Sequence, residues 1–187
     1  MILFIIFVIL LLILVNAFYV AAEFAAVSVR RNMIREMAEG GSKVAVHLLK
    51  ILENTRELDR YIAACQFGIT ISSLILGAYG QVQLSSYLLP LFERFGGMDS
   101  VMAASVSALV VLVGLTVFQV ILGELMPKSL ALQFPRQAAL YTYYPMRWTL
   151  TFFAWFIDFL NGSGLLLLKL FRLPPGGHQH IHSQQEI

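Results

Sequence analysis

Two carboxylates stand in stretches that are otherwise apolar. From Met1 to Val29 the only charged side chain is Glu23, and Val101–Gly123 carries none before Glu124 follows at once. Neutral oxygens accompany them: Asn16 in the first stretch, and Gln66, Thr70, Ser72 and Ser73 in the uncharged run Tyr61–Phe92. A carboxylate inside a membrane span costs about 3 kcal/mol even on a lenient insertion scale, so it is a functional candidate by default. Carboxylates and carbonyl oxygens are also hard ligands of the kind that Mg²⁺ and Ca²⁺ take. Each group has a plainer reading as well. A lone Asn in a span can be helix–helix glue, and Thr70, Ser72 and Ser73 can simply pack. Glu23, near a helix end, can be protonated or paired with Arg30 or Arg31.

The elements that must position these groups follow from charge placement. The 187 residues are 58% hydrophobic and only 13% charged, whereas a soluble domain is about 45–50% apolar and about 25% charged. The chain therefore reads as an all-α membrane protein, because backbone groups in lipid must be satisfied internally. A crossing needs about 20 apolar residues, and three stretches qualify: 2–28, 61–84 and 101–124. The first lacks a basic residue before its apolar run and is too long for a signal peptide. A net charge of +2 implies no nucleic-acid partner, and the single cysteine, Cys65, builds no disulfide framework.

Orientation follows from Lys and Arg. The connection 30–60 carries Arg30, Arg31, Arg35, Lys43, Lys50, Arg56 and Arg60, whereas 85–100 carries only Arg94. The positive-inside rule puts the first connection in the cytoplasm, the N-terminus outside and Lys128 onward inside. Within 30–60, Gly40-Gly41 breaks a helix, Ser42 can cap the next, and Asn54 with Glu57 resembles a capping box. A helical hairpin under the membrane is expected. Residues 134–172 are apolar and aromatic but interrupted by Arg147, Asp158, Asn161 and Lys169. Juxtamembrane helices along the cytoplasmic interface are favoured over a fourth span or a membrane hairpin, since Tyr and Trp suit headgroup depth. The membrane part then covers 1–173, and 174–187 is a polar tail.

Depth can be counted at about 1.5 Å per residue. From Arg30, Glu23 lies about 10 Å above the cytoplasmic boundary and Asn16 about 21 Å, on one face. From Arg60, Gln66 lies at about 9 Å, Thr70 at about 15 Å and Ser73 at about 20 Å, again one stripe with Ser72 beside it. If the stripes face each other, Asn16 meets Ser73 at mid-depth and Glu23 meets Gln66 below. The third span descends into Gly123–Lys128, where Pro127 cannot donate a backbone hydrogen bond and frees the Gly123 carbonyl beside Glu124. Such a carbonyl is tolerated only where it is buried in protein or lines a wet cavity.

These residues resemble the transmembrane domain of the CorC/CNNM magnesium transporters. Asn16–Val29 (NAFYVAAEFAAVSV) is similar to that family's first span and Gln66–Gly77 (QFGITISSLILG) to its second. Gly123–Leu132 (GELMPKSLAL) carries the most specific motif, with Gly123, Glu124, Pro127 and Lys128 intact. The tail His180–Ile187 is similar to the start of a linker towards paired CBS domains. The resemblance implies a homodimer in the cell membrane with an outside N-terminus and a cytoplasmic C-terminus. It implies Mg²⁺ export, driven by Na⁺ influx, with ligands from Asn16, Ser73, Glu124 and the carbonyl near Gly123, and with Glu23 close by. Gln66, Thr70, Ser72 and Ser28 are candidates for an outer layer or a Na⁺ path. The chain departs from the family at Val20 and Ala22, where many relatives carry serines, so either an oxygen ligand is lost from that helix or Asn16 and Ser28 gain weight.

The expectation is an ion transporter. The alternative is a membrane anchor that senses Mg²⁺ and controls a partner without moving the ion. No enzyme is suggested: His47 falls in the hairpin, and His178, His180 and His182 fall in a tail that reads as solvated rather than as a metal cluster.

Overall fold

Each charge gap folds as a helix. The computed structural model describes residues 1–171 and, among them, contains helices and no strand. The elements are α1 (Ile2–Ser28), α2 (Arg31–Glu39), α3 (Lys43–Glu53), α4 (Thr55–Gly96), α5 (Ser100–Phe118), a π-helical segment (Gln119–Leu125), α6 (Met126–Gln133), α7 (Pro135–Phe152) and α8 (Ala154–Leu170). Three helical stretches are long and apolar enough to cross a membrane: Ile2–Ser28, Thr55–Arg94 and Ser100–Gln133. Neither α7 nor α8 is among them. The polar tail, with His178, His180 and His182 and the stretch 174–187, lies outside the described residues.

Local chemistry sets the hairpin. Gly41 takes φ +90°, a left-handed conformation that costs glycine little. The Ser42 hydroxyl then accepts from the Ala45 N–H, and the Asn54 carboxamide accepts from the N–H groups of Arg56 (3.0 Å) and Glu57 (3.4 Å), starting α4. The hairpin is closed by Arg35 and Glu53, whose side chains meet at 2.7 Å.

The second crossing is longer than the sequence implies. α4 does not stop near Leu84 but continues through Pro90 to Gly96, 42 residues in all. At about 1.5 Å per residue it is about 63 Å long, twice the hydrocarbon thickness of about 30 Å. It ends at Gly97 in the left-handed conformation, and the Asp99 carboxylate caps α5 through the Met102 N–H at 2.8 Å. Pro127 does not end the third crossing either. The helix widens upstream of it, with Met126 N–H bonding to the Ile121 carbonyl five residues back, and then runs on to Gln133. A π-type widening is a recognised response to a residue that cannot join the ladder.

Packing forms two apolar clusters, one above the other. The outer cluster gathers Ile5, Ile9, Ile13, Leu76, Val111 and Leu115. The inner one gathers Ala22, Ala25, Ile34, Leu48, Tyr61, Ala64, Cys65, Met146 and Ile157, among others. Small residues on α1 let α4, α6 and α7 approach. α1 and α4 approach closely at Gly68, where an added Cβ would lie 2.5 Å from the Tyr19 ring. That ring cannot yield easily, since the Tyr19 hydroxyl is tied to Thr149 Oγ1 at 3.1 Å. Gly68→Ala is expected to destabilise the fold by about 1–3 kcal/mol through overpacking, read as a lower melting temperature of the purified protein. An unchanged melting curve would show that α1 and α4 are not locked at this point.

α7 and α8 wrap the end of the bundle that carries the α2–α3 hairpin. Ala139, Thr142, Tyr143, Met146 and Thr149 face inward. The Phe67 ring packs at a tilt against Phe153 and Phe156, and the Arg60 guanidinium faces the Asp158 carboxylate with N–O distances of 2.8 and 3.0 Å. The opposite face exposes Tyr141, Tyr144, Trp148, Phe152 and Trp155. The spacing of Tyr141, Tyr144, Trp148 and Phe152 keeps them on one side of α7, and Trp155 follows at the start of α8.

Candidate functional site

Between the two apolar clusters lies a polar layer. On α1 it is Asn16, fully buried, three residues beyond Ile13 of the outer cluster. On α4 it is Ser72 and Ser73, between Cys65 of the inner cluster and Leu76 of the outer one. On the third crossing it is Gly123, buried inside the π segment.

Asn16 joins the three crossings. Its Nδ2 donates to the Gly123 carbonyl at 3.1 Å. Its Oδ1 accepts from Ser73 Oγ at 3.1 Å and lies 2.9 Å from Ser72 Oγ. The Ser72 hydroxyl also lies 2.7 and 3.0 Å from the Gly68 and Ile69 carbonyls, so its single proton has three acceptors to choose from. Glycine at 123 makes room for this contact: an added Cβ would lie 3.0 Å from Asn16 Nδ2 and press that side chain back. Pro127 contributes from a distance, because it has no N–H to offer the turn that contains Gly123. The Gly123 carbonyl receives the Asn16 amide, and Glu124 follows it in the chain, partly buried.

The other candidates are placed differently. Glu23 is partly buried beside Gln66, about two helical turns from Asn16 towards the α2–α3 hairpin. Thr70 is exposed and bonds its own helix at the Gln66 carbonyl, 2.8 Å away, so the structure turns Ser72 rather than Thr70 towards Asn16. Ser28 is likewise bonded to its own helix, at the Phe24 carbonyl. Val20 and Ala22 are buried in apolar packing and supply no side-chain oxygen. Lys128 lies 4.5 Å over the Phe24 ring, so the basic residue of the Gly-Glu-x-x-Pro-Lys motif braces α6 against α1 by a cation–π contact.

One residue of the layer is missing from the sequence reading. Gln119 Nε2 donates to Ser73 Oγ, and the Gln119 stem flanks Gly123. An uncharged amide escapes a scan for charge. The available signal was its position four residues before Gly123, which puts both on one helical face.

Chemically the layer offers an amide oxygen, hydroxyl oxygens and a backbone carbonyl, with one carboxylate adjoining. Among the described residues no three His, Cys, Asp or Glu side chains gather in a metal-binding group. The donor set is therefore hard and mostly neutral, which suits an oxygen-seeking cation and not zinc.

A three-crossing helical membrane domain with an oxygen-lined polar layer is the class that fold and site define. The chain matches the Cyclin M transmembrane N-terminal domain over residues 6–187 and belongs to that family. Among its relatives are two from Bacillus subtilis. UPF0053 protein YhdT is 40% identical over 177 residues, covering 94% of this chain and 38% of the relative. UPF0053 protein YrkA is 36% identical over 178 residues, covering 95% and 40%. A Haemophilus influenzae relative named polyamine export protein is 25% identical over 163 residues, covering 87% and 36%. The chain thus spans about two fifths of the length of the curated relatives it matches.

Proposed function

We propose that this chain is the membrane domain of a cation transporter whose cargo is Mg²⁺, moved out of the cytoplasm in exchange for Na⁺. The observation that carries the reading is the convergence of Asn16, Ser73 and the Gly123 carbonyl from three crossings, with Glu124 next in the chain. Mg²⁺ gives up water reluctantly and takes near-octahedral oxygens at about 2.0–2.1 Å. A site in the membrane must replace several waters at once, and three oxygens with a carboxylate begin to do so. Glu124 supplies the charge. Asn16 and Ser73 supply neutral oxygens that a more weakly hydrated Na⁺ can use on the return. The π segment is the element suited to change register as access alternates, because its ladder already departs from the α-helical one.

The same reading includes a homodimer in the cell membrane, an outside N-terminus and cytoplasmic CBS domains in the longer protein. The exposed aromatic face of α7 suits the cytoplasmic headgroup layer. The name of one relative gives polyamine as a second cargo to test.

Reconstitution into liposomes with a Mg²⁺ indicator tests the function. Mg²⁺ flux that rises with an opposing Na⁺ gradient and ignores spermidine is the expected result. Mg²⁺ binding without flux would make the domain a sensor, and spermidine flux without Mg²⁺ flux would make polyamines the cargo.

A further inference from the structure

The hydrogen bonds of the polar layer run in one direction. Gln119 Nε2 donates to Ser73 Oγ, Ser73 Oγ donates to Asn16 Oδ1, and Asn16 Nδ2 donates to the Gly123 carbonyl. Two amide N–H groups are therefore aimed at two oxygens of the candidate ion site: Gln119 at Ser73 and Asn16 at Gly123. Both ends of the chain sit on the π segment, because Gln119 and Gly123 are one turn apart.

An amide N–H and a metal ion both present positive charge to an oxygen lone pair. The Ser73 proton is already committed to Asn16, so its remaining lone pairs face Gln119 and any incoming ion. Gln119 thus has no acceptor role towards Ser73 and only competes for it.

We propose that Gln119 is a positioning residue whose side-chain amide occupies Ser73 in place of the cation and must leave when the cation binds. This rests on the Mg²⁺ reading above and concerns how that site releases its ion. On binding, the Gln119 amide gives up Ser73 and the Asn16 amide gives up Gly123. On release, both donors return and stabilise oxygens that would otherwise be stranded in a buried layer. The two amides lower affinity and speed release, so they favour turnover at the expense of tight binding.

Gln119→Met keeps length and removes the donor. In the purified full chain, Mg²⁺ binding measured by calorimetry is expected to tighten by about 3- to 10-fold, the worth of one competing hydrogen bond. Liposome flux at saturating Mg²⁺ is expected to fall. Because Gln119 acts through Ser73, the substitution should have no further effect on affinity in a Ser73→Ala background. Gln119→Leu, with a different shape and no donor, is expected to shift affinity in the same direction. It serves as the second variant if Gln119→Met does not fold.

Weaker binding in either folded variant would overturn the proposal and make Gln119 a ligand. Unchanged binding, or an effect that persists without Ser73, would reduce Gln119 to a packing residue. Failure of the Mg²⁺ reading looks different, because the unsubstituted protein would then show neither Mg²⁺ binding nor flux.

Discussion

Glu124→Ala is expected to abolish Mg²⁺ transport in liposomes and leave the domain folded. Both halves come from the same place in the structure. Glu124 is partly buried and, among the described residues, makes no side-chain hydrogen bond or ion pair, so truncating it strands no partner. Its neighbour Gly123 keeps its bond to Asn16, which depends on the backbone carbonyl alone. What is lost is the negative charge beside an otherwise neutral set of oxygens. A divalent ion leaving water for a low-dielectric layer needs that charge more than any single neutral ligand. Flux at the background of empty liposomes, with an unchanged melting curve, is the expected pair of readings. Flux close to the unsubstituted level would contradict the assignment of Glu124.

Asn16→Ala is expected to have the second largest effect, of a different kind. Asn16 is fully buried and, like Ser73, is bonded to both other crossings in this layer. Its removal takes the donor from the Gly123 carbonyl and an acceptor from Ser72 and Ser73. Ser72 retains its own-helix acceptors, whereas Ser73 keeps only the Gln119 donor, so the stranded groups are the Gly123 carbonyl and the Ser73 hydroxyl proton. Leaving one buried polar group unpaired costs about 1–3 kcal/mol. A lower melting temperature is therefore expected here, unlike in Glu124→Ala. Mg²⁺ affinity should fall by at least about 10-fold, equivalent to about 1.4 kcal/mol. A stable variant with unaltered affinity would mean that Asn16 is glue and nothing more.

Much of this arrangement could be read in advance, for identifiable reasons. Charge gaps delimit helices because lipid punishes charge, which gave the first crossing its observed bounds and the third its start, whereas α4 begins at Thr55, before its gap opens at Tyr61. Gly40-Gly41, Ser42 and Asn54 act through neighbours in sequence, so the hairpin was legible too. Counting depth from Arg30 and Arg60 put Asn16 and Ser73 on one level, and they are hydrogen-bonded. The hidden features depend on tertiary contacts. α4 runs past Leu84 because Pro90 sits within a helix that nothing downstream stops before Gly97. The π segment lies upstream of the proline that favours it, and its register shows only in the hydrogen bonds. Thr70 fits the polar stripe by spacing, yet its hydroxyl is satisfied on its own helix. Ser72, half a turn on, is the one the packing turns inward.

The most direct measurement is an experimental structure of the protein with Mn²⁺ in place of Mg²⁺, using the anomalous signal to locate the ion. The expected result is one strong peak per chain within coordination distance of the Glu124 carboxylate, Asn16 Oδ1, Ser73 Oγ and the Gly123 carbonyl, with the Gln119 amide turned away from Ser73. A peak elsewhere in the membrane domain, or none in a preparation that transports Mg²⁺, would contradict the central claim that this polar layer is where the ion binds.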